Sequence, residues 1–103
     1  MSETIAIFRK DRTGWKDCFA LLPELPGDNF GTYCNSYQHV GQHCAADYQG
    51  RIAADDPATP DEYADRFEEL ERRGYSLVVR QTATPEMHER RRRLAAEWRA
   101  VRA

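Results

Sequence analysis

The sequence has 103 residues, of which 41% are hydrophobic and 11% aromatic, enough for one domain with a modest core and too many for a disordered chain. No apolar run approaches the ~20 residues that a membrane span needs, and the first, Ile5 to Phe8, is too short for a signal peptide. The net charge of −2 favours no class of partner. Because three cysteines cannot all pair within one chain, we expect free thiols and a cytoplasmic protein.

The first part of the chain predicts a β-hairpin. Thr4 to Arg9 is rich in β-branched residues, and the turn-forming segment Asp11 to Gly14 follows it. A second strand is expected from Trp15 or Lys16 to Leu22. Pro23 and Pro26 should end it, because proline cannot donate a hydrogen bond to a sheet.

The middle of the chain has mixed periodicity. Alternation favours an extended segment at Thr32 to His39, followed by a loop or short helical turn at Gln42 to Tyr48. A brief strand is expected at Gly50 to Ala53.

Two helices with clear start signals follow. Thr59-Pro60-Asp61-Glu62 forms a capping box with proline at the first helical position, and Gly74 marks the end of that helix. Tyr63, Phe67 and Leu70 form its apolar stripe, which should pack on the sheet. Tyr75 to Arg80 predicts a strand, and Thr84-Pro85-Glu86 starts a helix that runs to about Val101.

The predicted order is therefore β-β-(irregular)-α-β-α within a single domain, residues 1–103. This is an α+β fold, with a small antiparallel or mixed sheet and two helices packed on one of its faces.

Tyr33 to Tyr48 is the segment in which we expect a site, since it holds two of the three cysteines and two of the three histidines. Tyrosines among small polar residues suit protein recognition, because tyrosine buries a large area at little entropic cost. The sequence thus favours a small binding or regulatory protein without a cofactor, whose partner is another protein or a second copy of the chain. The candidate binding residues are Tyr33, Cys34, Tyr37, His39, His43 and Tyr48.

Several motifs together resemble a family of short, uncharacterised bacterial proteins associated with mobile elements and phage-like regions. They are Phe19-Ala-Leu-Leu-Pro-Glu24, Tyr33-Cys-x-Ser-Tyr-x-His-Val-Gly-Gln-His43, Pro57-Ala-Thr-Pro-x-Glu-Tyr63 and Gly74-Tyr75. The most specific part is Ser36-Tyr37-x-His39-Val40-Gly41-Gln42-His43. The resemblance covers roughly Phe19 to Arg80 and implies that this block recurs with the fold. It implies no activity.

A metal- or thiol-dependent enzyme is an alternative function. Cys34, His39, His43 and Cys44 carry the ligand types of zinc, and a histidine could activate the Cys34 thiol. No Cys-x-x-Cys pair supports a closed metal site, so we predict none. The simpler interpretation is that the histidines bond the backbone while the cysteines pack as small hydrophobic residues.

The last helix supplies a further alternative, nucleic-acid binding. Arg91, Arg92, Arg99 and Arg102 would share one side of the helix and could follow a phosphate backbone. The favoured interpretation is that the arginines pair with the acidic helix at Asp61 to Glu71.

The same helix carries a narrow apolar stripe similar to a coiled-coil seam. We expect Trp98 to be buried against a second copy of the chain or its own sheet edge, and we favour the dimer. The stripe consists of Met87, Leu94, Trp98 and Val101.

Overall fold

The computed structural model describes residues 3–12, 18–38 and 43–102, and within them the chain forms a sheet and three helices. The elements are β1 (Thr4–Asp11), β2 (Cys18–Pro26), β3 (Cys34–Tyr37), β4 (His43–Ala46), α1 (Tyr48–Ala54), β5 (Asp55–Pro57), α2 (Pro60–Arg72), β6 (Leu77–Val79) and α3 (Pro85–Arg102).

The sheet is mixed and has the strand order β4-β3-β2-β1-β5, with β6 parallel to the first half of β1. The predicted hairpin of β1 and β2 is present, with Ile7 opposite Leu21. The α+β fold class is therefore confirmed. The predicted turn at Asp11 to Gly14 and the start of the second strand at Trp15 or Lys16 fall largely on residues 13–17, outside the described residues.

Both faces of the sheet carry a hydrophobic cluster, so the prediction that both helices share one face was wrong. One cluster contains Phe8 and Leu22 and receives Leu70 of α2. The other contains Ile7 and Leu21, together with residues of α1, and α3 lies on that side against β2. The reason is that β1 and β2 each contain a continuous apolar run, Ile5 to Phe8 and Cys18 to Leu22. Alternate side chains point to opposite faces, and each face needs a cover.

The middle of the chain differs from the prediction in two places. The expected extended segment is β3, but His43–Ala46 is strand β4 rather than a loop or a short helical turn. It pairs with β3, and the Ser36 hydroxyl donates a 2.8 Å hydrogen bond to the Cys44 carbonyl. Gly50 to Ala53 lies in helix α1 rather than in a strand. Helical spacing places Tyr48 and Ile52 together on the second cluster, and this burial outweighs the short run's strand propensity.

Strand β2 does not end at Pro23 but continues to Pro26. Proline has no amide hydrogen to donate to a neighbouring strand. The pairing of β2 with β3 is irregular between Leu22 and Pro26, and this irregularity accommodates the missing hydrogen bond.

The helix boundaries follow the predicted signals. The Thr59 amide donates to the Glu62 carboxylate at 2.9 Å, and Gly74 adopts a φ of 98° just after α2. The Met87 amide donates to the Thr84 hydroxyl at 3.3 Å at the start of α3. Strand β6 is shorter than the predicted Tyr75 to Arg80. No helix in the described part of the chain is long and apolar enough to cross a membrane.

The apolar stripe of α2 packs as predicted. Leu70 is fully buried, while Tyr63 and Phe67 are partly buried against the same cluster, which also contacts Leu77 and Val79. The Tyr63 ring stacks on Phe8 with centroids 4.3 Å apart.

Candidate functional site

The predicted binding residues divide between the core and the surface. Cys34, Tyr37 and Tyr48 are buried and belong to the hydrophobic clusters, and Tyr48 also lines a cleft beside α3. Tyr33 and His43 are exposed. The sixth predicted residue, His39, lies outside the described residues.

His43 and its neighbours form a hydrogen-bonded aromatic group on the α2 side of the sheet. The His43 Nε2 and Tyr75 hydroxyl are 3.0 Å apart, so this histidine bonds a tyrosine side chain rather than the backbone. Tyr37 packs edge-on against His43 at 5.0 Å between centroids, and Arg73 Nε donates to its hydroxyl at 2.9 Å. The group is a structural network that fixes the end of β3 and β4.

Within the described residues, the Cys18 and Cys34 thiols have no arrangement that would activate them. Cys34 and His43 belong to opposite faces of the sheet, because His43 pairs with Tyr37 and Cys34 lies three positions before Tyr37 in the same strand. Burial raises the pKa of the Cys34 thiol to about 11 and that of Cys18 to about 12, so both remain protonated near neutral pH. Among the described residues no three histidine, cysteine or acidic side chains are grouped as metal ligands.

Helix α3 packs through an arginine rather than through its apolar stripe. Arg91 is 4% exposed and Ala95 is 2% exposed, whereas Trp98 and Val101 are exposed. The prediction that Trp98 is buried against its own sheet edge was therefore wrong. Arg91 takes the buried position that was expected for Trp98. The aliphatic part of the Arg91 side chain can be buried while its guanidinium donates hydrogen bonds to backbone carbonyls. Met87 and Leu94 are only partly buried.

The arginines of α3 also differ from the favoured ion-pair arrangement with α2. In the described part of the chain, Arg90 approaches Glu24 at 3.8 Å, whereas the α2 carboxylate of Glu62 pairs with Lys10 at 2.7 Å. The two helices lie on opposite faces of the sheet, so their charged surfaces point away from each other. The acidic surface of α2 and the basic surface of α3 are therefore both exposed to solvent, on opposite sides of the sheet.

The four exposed large hydrophobic side chains of the described residues belong to two touching segments, the loop of residues 27–33 and the end of α3. Phe30 is 65% exposed, Tyr33 45%, Trp98 41% and Val101 85%. We call these four residues the Trp98 surface. A large apolar group that remains exposed on a small domain is typical of an interaction site.

The loop lies directly on α3 because Gly31 has no side chain. Its φ is 73°, and a Cβ atom there would stand 3.0 Å from Arg92 Cα and 3.3 Å from Ala95 Cβ. The Gly27 amide donates to the Tyr33 carbonyl at 2.9 Å and closes the base of the loop. The loop therefore has a fixed position on α3, and it carries the exposed Phe30 and Tyr33 side chains.

Arginines border the Trp98 surface and connect its two segments. Arg99 donates to the Asn29 carbonyl at 2.6 Å, and its guanidinium lies 4.7 Å from the centre of the Phe30 ring. Arg102 donates to the Asn29 side chain at 3.3 Å. Between the segments is a cavity of about 170 Å³, lined by residues 26–29 of the loop, which include Asp28, and by Ala95, Trp98 and Arg102 of α3.

The sequence alone did not show that these segments meet. It indicated an aromatic site near Tyr33, but assigned Trp98 to a buried seam. The available signal was Gly31 in the segment Phe30-Gly31-Thr32-Tyr33, since a helix can approach the backbone closely at a glycine.

Comparison with protein-family models, with curated proteins and with solved structures found no match. The resemblance described from the sequence therefore stays a prediction.

Proposed function

We propose that this protein is a small binding protein that holds an acidic, partly apolar segment of a partner protein on the Trp98 surface. The main observation is that, among the described residues, the four exposed large hydrophobic side chains all lie on one loop and one helix end. Aromatic residues and arginine are the side chains enriched at the centres of protein interfaces. The free thiols favour a reducing compartment, so we place the protein in the cytoplasm.

The charge around the surface favours an acidic partner. Arg99 and Arg102 hold fixed positions beside Phe30 and Trp98, so their charge adds attraction at little further entropic cost. In a twofold pairing of two copies, the same arginines would face one another and repel. An acidic segment of another protein is therefore the better occupant.

The open depression formed by Trp98, Val101 and Arg102 suits one apolar anchor side chain of such a segment. Its volume is about 380 Å³, and the indole and Val101 supply its apolar wall. Burying an anchor there would exclude water from the neighbouring arginine contacts and so strengthen them.

Selection of phage-displayed random dodecapeptides on the immobilised protein tests the proposal. We expect the enriched peptides to combine aspartate or glutamate with a leucine or aromatic residue. Synthetic versions should bind Trp98→Ala about 30-fold more weakly than the unchanged protein, the loss typical of a central interface residue. Arg102→Ala should weaken binding several-fold, and added salt should reduce that difference.

Arg72→Ala is the matched control, because Arg72 is an exposed arginine on α2 and thus on the other side of the sheet. It should bind the peptides unchanged, and circular dichroism should show that every variant is folded. Failure to enrich acidic peptides, or equal binding by Trp98→Ala, would refute the proposal. Light scattering that shows a dimer converted to monomer by Trp98→Ala would assign the surface to self-association instead. Tight binding of fluorescent oligo-dT that Trp98→Ala abolishes would assign it to nucleic acid.

A further inference from the structure

A second, polar cleft lies on the same side of the sheet, at the other end of α3. It has a volume of about 390 Å³ and runs between the first half of α3, the start of α1 and Thr32. Its charged and polar walls include Asp47, Gln49, His88, Arg91 and Arg92. The size falls in the range of small-molecule sites.

Arg91 is built into this cleft as a buried cation without a carboxylate partner among the described residues. Its Nε donates to the Gly31 carbonyl at 2.8 Å. Its Nη1 donates to the Pro23 carbonyl at 2.8 Å and to His88 Nδ1 at 2.7 Å. These bonds use three of the five guanidinium hydrogens and leave both hydrogens on Nη2. A buried guanidinium that lacks an anion is costly, and an anionic ligand would offset that cost.

The contact with Arg91 also fixes the tautomer of His88. Arginine can only donate, so His88 Nδ1 must accept and the ring proton must reside on Nε2. Burial, followed by the charges of Arg91 and Arg92, lowers the pKa of His88 and keeps it neutral. The residue is therefore a hydrogen-bond donor at neutral pH, and its edge-on contact with Tyr48 holds the ring in place.

The wall formed by α1 carries the opposite charge. Asp47 is exposed at the start of α1, and its carboxylate makes no capping hydrogen bond or ion pair within the described part of the chain. Gly50 makes room for it, since a Cβ there would stand 2.7 Å from Asp47 Oδ2. Arg92 is likewise exposed and lines the cleft from α3. The cleft therefore combines donors for a carboxylate with an acceptor for an ammonium group.

We propose that this cleft binds a free amino acid, with its carboxylate at Arg91, Arg92 and His88 and its ammonium group at Asp47. A zwitterion satisfies both walls, whereas a simple anion would be repelled by Asp47 and a simple amine by the arginines. The proposal is independent of the Trp98 surface, which uses the other end of α3.

The test is a calorimetric and ¹⁵N NMR titration of the full chain with each of the twenty L-amino acids, and with acetate and ethylamine as single-charge probes. We expect at least one amino acid to bind with resonance shifts at residues 47–49 and 88–92. Acetate and ethylamine should bind at least about tenfold more weakly. Asp47→Asn and Arg92→Gln should each weaken binding of that amino acid about tenfold or more, since each removes one charge-assisted contact.

Arg93→Gln is the matched control, because Arg93 is exposed on the next position of α3 but does not line the cleft. It should bind the amino acid unchanged, and Trp98→Ala should do the same. No binding of any amino acid at millimolar concentration would overturn the proposal. Equal binding of acetate, or unchanged binding by Asp47→Asn, would also overturn it and would indicate a site for simple anions. Asp47 and Arg92 are exposed, so these variants should fold.

Discussion

Replacing Gly31 with alanine tests the contact that brings the two segments of the Trp98 surface together. The φ of 73° alone costs an L-residue ~1–2 kcal/mol. The new Cβ would also lie 3.0 Å from Arg92 Cα and 3.1 Å from Arg91 O, both backbone atoms that move only if the helix moves. Overpacking of this kind costs a further ~1–3 kcal/mol. We therefore expect Gly31→Ala to lower the free energy of unfolding by about 2–5 kcal/mol.

Gly74→Ala separates backbone strain from packing. Gly74 also has a positive φ, 98°, but a Cβ there would meet no atom within 4 Å. Both substitutions restrict the unfolded chain by a similar amount, so that effect cancels in the comparison. In urea unfolding followed by circular dichroism, Gly31→Ala should be the more destabilised variant by about 1–3 kcal/mol, the packing cost. Equal losses would mean that the loop does not rest on α3, and would remove the basis of the Trp98 surface.

Two further predictions follow from the pKa shifts. In folded protein at pH 8, iodoacetamide should modify Cys44 before Cys18 or Cys34, because burial keeps the thiols of Cys18 and Cys34 protonated. All three cysteines should react in urea, and mass spectrometry of digests measures the labelling. Rapid labelling of Cys34 in the folded protein would contradict the prediction. The pKa of His88 is lower in the folded chain than its ordinary value of 6.5. As the pH drops from 7.5 to 5.5, His88 therefore binds a proton more readily in the unfolded chain than in the folded one, and the free energy of unfolding should fall. Urea unfolding at the two pH values should show a smaller fall for His88→Gln than for the control His43→Gln, and equal falls would refute this role of His88.

The sequence predicted the features that depend on neighbouring residues. The start of α2 at Thr59-Pro60 and its end at Gly74 depend on local capping chemistry, and both were correct. The β1 and β2 hairpin was also predicted, since its strands are adjacent in the chain. At Gly50 to Ala53 the prediction failed because tertiary burial of Ile52 decided between helix and strand.

The candidate sites were harder to predict because they depend on which face of α3 meets the sheet. Hydrophobicity favoured the stripe that contains Trp98, and a buried arginine is rare enough that sequence alone assigned Arg91 to solvent. Its burial requires acceptors at Pro23 and Gly31, more than fifty residues away in the chain. Nothing in the local sequence of α3 specifies those partners. Of the segment from Tyr33 to Tyr48, the prediction placed Tyr33 near a binding surface but did not separate it from the core tyrosines.

Arg91 connects both proposals and therefore cannot distinguish between them. Its guanidinium joins the loop at Gly31, strand β2 at Pro23 and the His88 ring, so its replacement would release the loop and alter the cleft together. The informative variants are those at residues that belong to only one of the two regions, because each can remove one binding activity without the other. Trp98→Ala should remove peptide binding and leave amino-acid binding intact, and Asp47→Asn should do the reverse. If each variant instead removed both, the two regions would form one site, and the partner segment would have to reach from Trp98 to Asp47 along α3.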